Sequence, residues 1–100
     1  MSVEIAFLPI AIKELQESFD WYEERSDGLG EIFVEAIDKS SVAILLNPLA
    51  YPRYKSRYRQ FVVDKFPYVI IYEFLERSDQ INILHIFHTS RNPKYKYRRK

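Results

Sequence analysis

The chain reads as an α+β domain, a helical hairpin packed on a small, mostly antiparallel, twisted sheet, in the order β-α-α-β-β-β. Three observations lead there. Residues 58–63, 69–75 and 81–88 are apolar runs of strand length, rich in Val, Ile, Phe and Tyr, and short connections between such runs make antiparallel neighbours. Val3, Ile5 and Phe7 alternate with Ser2, Glu4 and Ala6, the period of a half-buried strand. Between these lie two segments whose apolar residues recur at three and four, as on one side of a helix.

Taken in order, the first strand is ended by Pro9, which is tolerated in the first turn of a helix. Ile12, Leu15, Phe19 and Tyr22 then form an apolar stripe, with Glu14, Glu17, Asp20, Glu23 and Glu24 falling mostly away from it. The segment Ser26-Asp27-Gly28-Leu29-Gly30 holds the only two glycines of the chain and reads as a tight helix-to-helix turn. No strand precedes it and no lysine or third glycine follows, so it lacks the spacing of a phosphate-binding loop. The second helix covers 31–46, with Phe33, Ile37, Ser40 and Ile44 on one line. Its last turns, Val42-Ala43-Ile44-Leu45-Leu46, are apolar nearly all round, which places that end deep against the sheet or a partner. Asn47-Pro48 stops it.

The three later runs form a meander. Val69-Ile70-Ile71-Tyr72 is apolar on both faces, the pattern of a central strand, so something besides the helices covers its second face, a bound partner being one candidate. Polar and basic groups gather at strand ends: Arg57 and Arg59 at the start of the first run, His88, Arg91 and Asn92 beyond the last. A meander places those two positions at opposite ends of the sheet unless its strands are staggered or bent. His85 and Tyr72, inside apolar strands, read as satisfied core residues.

One hundred residues make a single domain, 1–100, burying roughly 65% of the unfolded surface, with 94–100 as a basic C-terminal tail. There is no cysteine, which excludes disulfides and thiolate metal sites, and two histidines among scattered carboxylates lack metal-ligand spacing. No cofactor is implied. The start of the chain has no basic segment followed by a long apolar one, so export and membrane insertion are not expected and a cytoplasmic location is. The net charge of +1 hides a division: residues 1–50 carry three Lys or Arg against ten Asp or Glu, residues 51–100 twelve against four. Either the second half offers a surface to polyanions or acidic peptides, or the halves neutralise each other in the fold.

Residues 49–59 alternate aromatic and basic side chains, and the tail repeats that composition. Cations attract phosphate and rings supply stacking surfaces, which is the chemistry of single-stranded nucleic-acid binding. An ordinary loop with its tyrosines on the core edge, followed by a frayed terminus, accounts for the same residues.

The order of elements, Pro48 closing the second helix, Tyr58-Arg59 opening a strand, Phe66-Pro67-Tyr68 leading into a strand with Ile71-Tyr72, and the ending His88-Thr89-Ser90-Arg91-Asn92-Pro93 together resemble the RelE/ParE superfamily. These are the toxic halves of type II toxin-antitoxin (plasmid-stabilisation) pairs. The resemblance runs from the first strand to Pro93 and implies a toxin neutralised by a cognate antitoxin. One branch cuts messenger RNA on the ribosome; the other, ParE-like, is associated with inhibition of DNA gyrase. For RNA cleavage the resemblance implies Arg59, His88, Arg91 and Tyr95 as catalytic residues, because the reaction needs a base, an acid and cations for the charge building on phosphorus.

Two positions depart from that branch: Val63 and Val69 stand where arginines are expected. Phe66-Pro67-Tyr68 and the His-x-x-Arg-x-Pro ending favour the ParE-like branch, and a non-toxic binding module of the same fold is a third alternative. For the antitoxin, Arg53, Lys55, Arg57 and Arg59 are the expected partner-binding set, a basic surface for a segment that folds as it binds. The expected assemblies are a homodimer or a toxin–antitoxin heterotetramer.

Overall fold

The computed structural model describes residues 2–90. Arg91, Tyr95 and the 94–100 tail therefore lie outside the described residues. The elements are β1 (Glu4–Phe7), α1 (Pro9–Arg25), α2 (Leu29–Leu46), β2 (Arg53–Lys55), β3 (Tyr58–Val62), β4 (Tyr68–Leu75), a short 3₁₀ turn (Glu76–Ser78) and β5 (Gln80–His88). They form one five-stranded sheet in the order β1-β5-β4-β3-β2. All neighbours are antiparallel except β1, which lies parallel to β5 at one edge. The expected α+β architecture is observed, and β4 is the central strand.

β2 was not expected. It has three residues, pairs with β3 through Arg53↔Arg59 and Lys55↔Tyr58, and contains a register shift. Tyr54 is thereby the extra residue of a bulge, which breaks the alternation that marks a strand in sequence. A second irregularity lies in β5, where Ile71 pairs with His85 but Tyr72 pairs with Ile83, leaving Leu84 as the extra residue. This bulge lets Ile81 and Ile83 before it, and Ile86 after it, all join the core under the helices.

That core is aromatic on the α2 side. The Tyr68 ring lies 4.7 Å from Phe33 and 6.2 Å from Tyr22, and Phe66 is 5.2 Å from both Tyr22 and Phe33. Phe33, Ile37, Ser40 and Ile44 of α2 are buried, as the periodicity predicts. In α1 the buried stripe is rotated by one residue relative to the expected one: Ala11, Ser18 and Tyr22 are buried and Ile12 is 54% exposed. The reason is polar. Tyr68 donates its hydroxyl hydrogen to Ser18 Oγ at 2.9 Å inside the core, so Ser18 takes the inward position and turns Ile12 outward. The last turns of α2 do not lie deep against the sheet: Ile44 is buried, but Val42 and Leu46 are 54% and 71% exposed.

The turn between the helices is held by a carboxylate. Glu23 accepts the backbone N–H of Gly28 at 2.8 Å on one oxygen and that of Gly30 at 2.9 Å on the other, so the free amides at the start of α2 are satisfied from α1. Gly28 has φ +86° and open space around it. A Cβ on Gly30 would stand 2.7 Å from the Phe19 ring and 2.8 Å from the Phe19 carbonyl oxygen. Among the described residues no helix is long and apolar enough to cross a membrane.

Two substitutions separate these causes. Gly30→Ala presses on a fixed backbone oxygen and should cost about 2 kcal/mol. Gly28→Ala pays only for its left-handed backbone, about 1 kcal/mol. Urea unfolding of both variants measures the difference, and equal losses would contradict the close approach of α2 to Phe19.

Candidate functional site

The candidate basic surface is the β2–β3 edge. Arg53 and Lys55 are exposed on β2, and Arg53 donates to the Ser56 carbonyl at 3.0 Å. Arg57 is tied down: its Nε donates to Glu73 Oε1 at 2.9 Å, and its guanidinium lies 5.0 Å from the centre of the Tyr58 ring. Arg59 pairs with Tyr72, which places it on the helix-covered face, and its Nη1 donates to the Tyr51 carbonyl at 2.8 Å. Among the described residues, then, Arg57 is neutralised by a carboxylate while Arg53, Lys55 and Arg59 make no carboxylate ion pair.

Arg59 and His88 are not brought together. Arg59 is level with Tyr72 and His88 with Tyr68. Four residues along the strands is about 13 Å and two strand spacings about 10 Å, a separation of roughly 16 Å. His88 accepts the Ser90 N–H at 3.0 Å on Nδ1, and its ring meets Tyr68 edge-on at 5.2 Å. Tyr72 is a core residue, as expected; its hydroxyl donates to the Pro48 carbonyl at 2.8 Å, and burial, only partly offset by Arg59, pushes its pKa up to about 12. Val63 and Val69 are 3% and 2% exposed; Val63 belongs to the core under the helices, Val69 to the cluster on the other face.

Sequence reasoning missed Glu14, which works where β1 has ended and the edge of β5 is bare. Its Oε1 accepts the Ile86 N–H at 2.8 Å, and its Oε2 stands 3.3 Å from His85 Nδ1. His85 is accordingly not a core residue. It is drawn to the surface, 31% exposed, stacked on Phe87. Nothing in the sequence marks Glu14 apart from the other acids of α1; the signal is that β1 is shorter than β5, which only the pairing reveals.

On the face away from the helices, Val69, Ile71 and Phe87 form a second buried cluster, packed by Tyr54, Tyr58 and Leu84. At the open end of the helical hairpin, Ile10 and Ile12 of α1 and Val42 and Leu46 of α2, with Leu49 beyond, are exposed. A scatter of single exposed apolar residues is ordinary, but five large ones at one end of two adjacent helices have the character of an interaction surface.

This architecture is that of a solved toxin-antitoxin protein. A structure described as the chromosomal ParDE TA system from P. aeruginosa superposes with a TM-score of 0.75 over 87% of this chain and 96% of that one, at 14% identity. No curated protein matches the chain. The family model for the ParE toxin of type II toxin-antitoxin systems, parDE, matches residues 5–93. The chain belongs to the ParE toxin family.

The two partly buried carboxylates, Glu73 and Glu14, give opposite pH responses. Burial is the largest influence on Glu73 and raises its pKa, but bonds from Asn82 and Arg57 outweigh it and hold the group below the ordinary 4.5. Its contribution to stability is therefore present above the ordinary value and lost as pH falls through the lowered one. Burial also dominates Glu14 and leaves it raised above 4.5 despite the Ile86 N–H and His85, so its contribution is present below the ordinary value and lost as pH rises through the raised one. Urea unfolding between about pH 3 and pH 7 should show a shallower acid-side loss in Glu73→Gln. Glu14→Gln, whose amide oxygen still accepts the Ile86 N–H, should lessen the decline on the rising side. An unchanged profile in Glu73→Gln would contradict its bonds to Asn82 and Arg57, and one in Glu14→Gln would contradict the desolvation of Glu14.

Proposed function

We propose that this toxin acts in the cytoplasm by binding DNA gyrase, without cutting RNA, and that a cognate antitoxin neutralises it by covering the open end of the helical hairpin and the basic β2 edge. The observation that carries the first part is the burial of Val63 and Val69. Where an RNA-cutting site needs cations to stabilise charge on phosphorus, this chain has apolar side chains in two packed clusters. The separation of Arg59 from His88 supports the same reading. With Tyr72 at about 12, that hydroxyl keeps its proton at neutral pH and does not replace the missing base.

Purified protein added to a supercoiling assay should inhibit gyrase and leave translating ribosomes with their message intact. Cuts at codon positions that disappear in His88→Ala or Arg91→Ala would overturn the proposal in favour of ribosome-dependent RNA cleavage. Absence of growth arrest on expression without an antitoxin would reduce the chain to a binding module.

For neutralisation, the exposed Ile10, Ile12, Val42, Leu46 and Leu49 supply the apolar area an amphipathic antitoxin segment buries. Arg53 and Lys55 meet its acidic residues. Val42→Glu with Leu46→Glu should weaken antitoxin binding by at least about tenfold, the scale of losing a central interface contact. Arg53→Ala, Lys55→Ala and Arg57→Ala together should weaken it mainly at low salt and flatten its salt dependence. Isothermal titration at two salt concentrations distinguishes the two surfaces, and unchanged affinity at low salt in the triple variant would remove the basic edge from the interface.

A further inference from the structure

A slot of about 200 Å³ opens on the sheet face away from the helices, and none of the roles above uses it. Its size decides what part of a ligand it holds. Pockets that enclose whole small molecules measure roughly 300–1,000 Å³, so this one takes a single ring of something larger.

Its lining is apolar at Ile71 and Leu84 and otherwise mostly rings. His85 is stacked on Phe87 with ring centres 4.6 Å apart and planes 17° from parallel. Phe87 is 3% exposed and His85, 31% exposed, is the more open ring of the pair, held at Nδ1 by Glu14 at 3.3 Å. A flat group entering the slot continues that stack. Beside it the Tyr54 hydroxyl is buried with no hydrogen-bond partner among the described residues, and an acceptor entering the slot supplies one once the Tyr54 ring shifts toward it. Lys55, at the mouth, makes no ion pair among the described residues, since the neighbouring Glu73 is taken by Arg57.

The slot thus asks for a flat ring, a hydrogen-bond acceptor on that ring, and an anion one residue-length away. A nucleotide brings all three in one unit. An aromatic side chain fills the ring volume but brings neither a ring carbonyl for Tyr54 nor an anion for Lys55 in the same residue. We propose that the slot binds one nucleotide of a single-stranded nucleic acid, its base stacked on His85, a base acceptor on the Tyr54 hydroxyl and a phosphate beside Lys55. No bond is made or broken, and the proposal depends on neither gyrase nor the antitoxin.

The test is fluorescence anisotropy with fluorescein-labelled twelve-residue oligouridine and oligodeoxythymidine at low salt, on the full chain. Single strands should bind saturably, and an unlabelled duplex of the same length should compete at least about tenfold less well, because its bases are stacked away. His85→Ala should weaken binding by about tenfold, while His85→Phe, which keeps the ring, stays close to the parent. Tyr54→Phe should weaken it several-fold. Lys55→Ala should reduce the salt slope by about 0.7, one phosphate contact on a single strand, whereas Lys39→Ala on α2 leaves it unchanged. Far-ultraviolet dichroism confirms that each variant is folded. A difference between the two oligomers beyond about tenfold assigns the strand to RNA or to DNA, and equal binding assigns recognition to base and phosphate alone. The proposal fails if binding does not saturate, if Lys39→Ala matches Lys55→Ala, or if His85→Ala and His85→Phe weaken binding equally. It also fails if a tryptophan peptide flanked by glutamates binds more tightly than either oligomer and loses that affinity in Tyr54→Phe.

Discussion

Tyr68 is the residue on which the two layers are fastened. Its ring packs on Phe33 of α2 and meets His88 of β5, and its hydroxyl reaches Ser18 of α1, so one side chain on the central strand touches both helices and the neighbouring strand. The polar end matters as much as the ring. A hydroxyl carried into a core without a partner costs about 1–3 kcal/mol, and meeting that requirement with Ser18 sets the rotation of α1. The rotation, in turn, leaves Ile12 outside and places Glu14 over the bare end of β5.

Acidic side chains on α1 consequently have two uses. Glu23 closes the start of α2 through the Gly28 and Gly30 amides, and Glu14 closes the edge of β5 through Ile86. Both carboxylates accept backbone N–H groups, and Glu14 also stands 3.3 Å from His85 Nδ1. The one Lys/Arg-to-carboxylate pair among the described residues, Arg57 with Glu73, lies wholly within the basic half. Among the described residues the acidic and basic halves are therefore joined by Glu14 with His85 and by no Lys/Arg-to-carboxylate pair.

Legibility in the sequence followed the strength of local pattern. β3, β4 and β5 announced themselves because each is a long apolar run between turn residues, and α2 because its buried positions keep one period from Phe33 to Ile44. β2 escaped because three residues containing a bulge carry no period at all. The α1 stripe was misplaced by one residue because periodicity counts apolar side chains, and here a serine holds the inward position that Tyr68 requires. The separation of Arg59 from His88 was legible from connectivity alone, as the consequence of a meander with two turns. The environment of His85 was not, because it depends on an extra residue at Leu84 and on a carboxylate 71 positions away in sequence.

The basic edge owes its shape to two side chains of the helix-covered face. Tyr72 donates to the Pro48 carbonyl and Arg59 to the Tyr51 carbonyl, and both residues sit level with each other on adjacent strands. Together they clamp the segment after α2 against the helix-covered face, which carries Arg53 and Lys55 to the outermost strand. Through its bond to the Tyr51 carbonyl on the covered side of the sheet, the Arg59 guanidinium positions its basic neighbours. The same clamp fixes where Tyr54 enters the opposite face. One pair of hydrogen bonds therefore contributes to the geometry of the rim and of the slot alike, beside the β2–β3 pairing and the Gln60 N–H to Pro52 carbonyl bond.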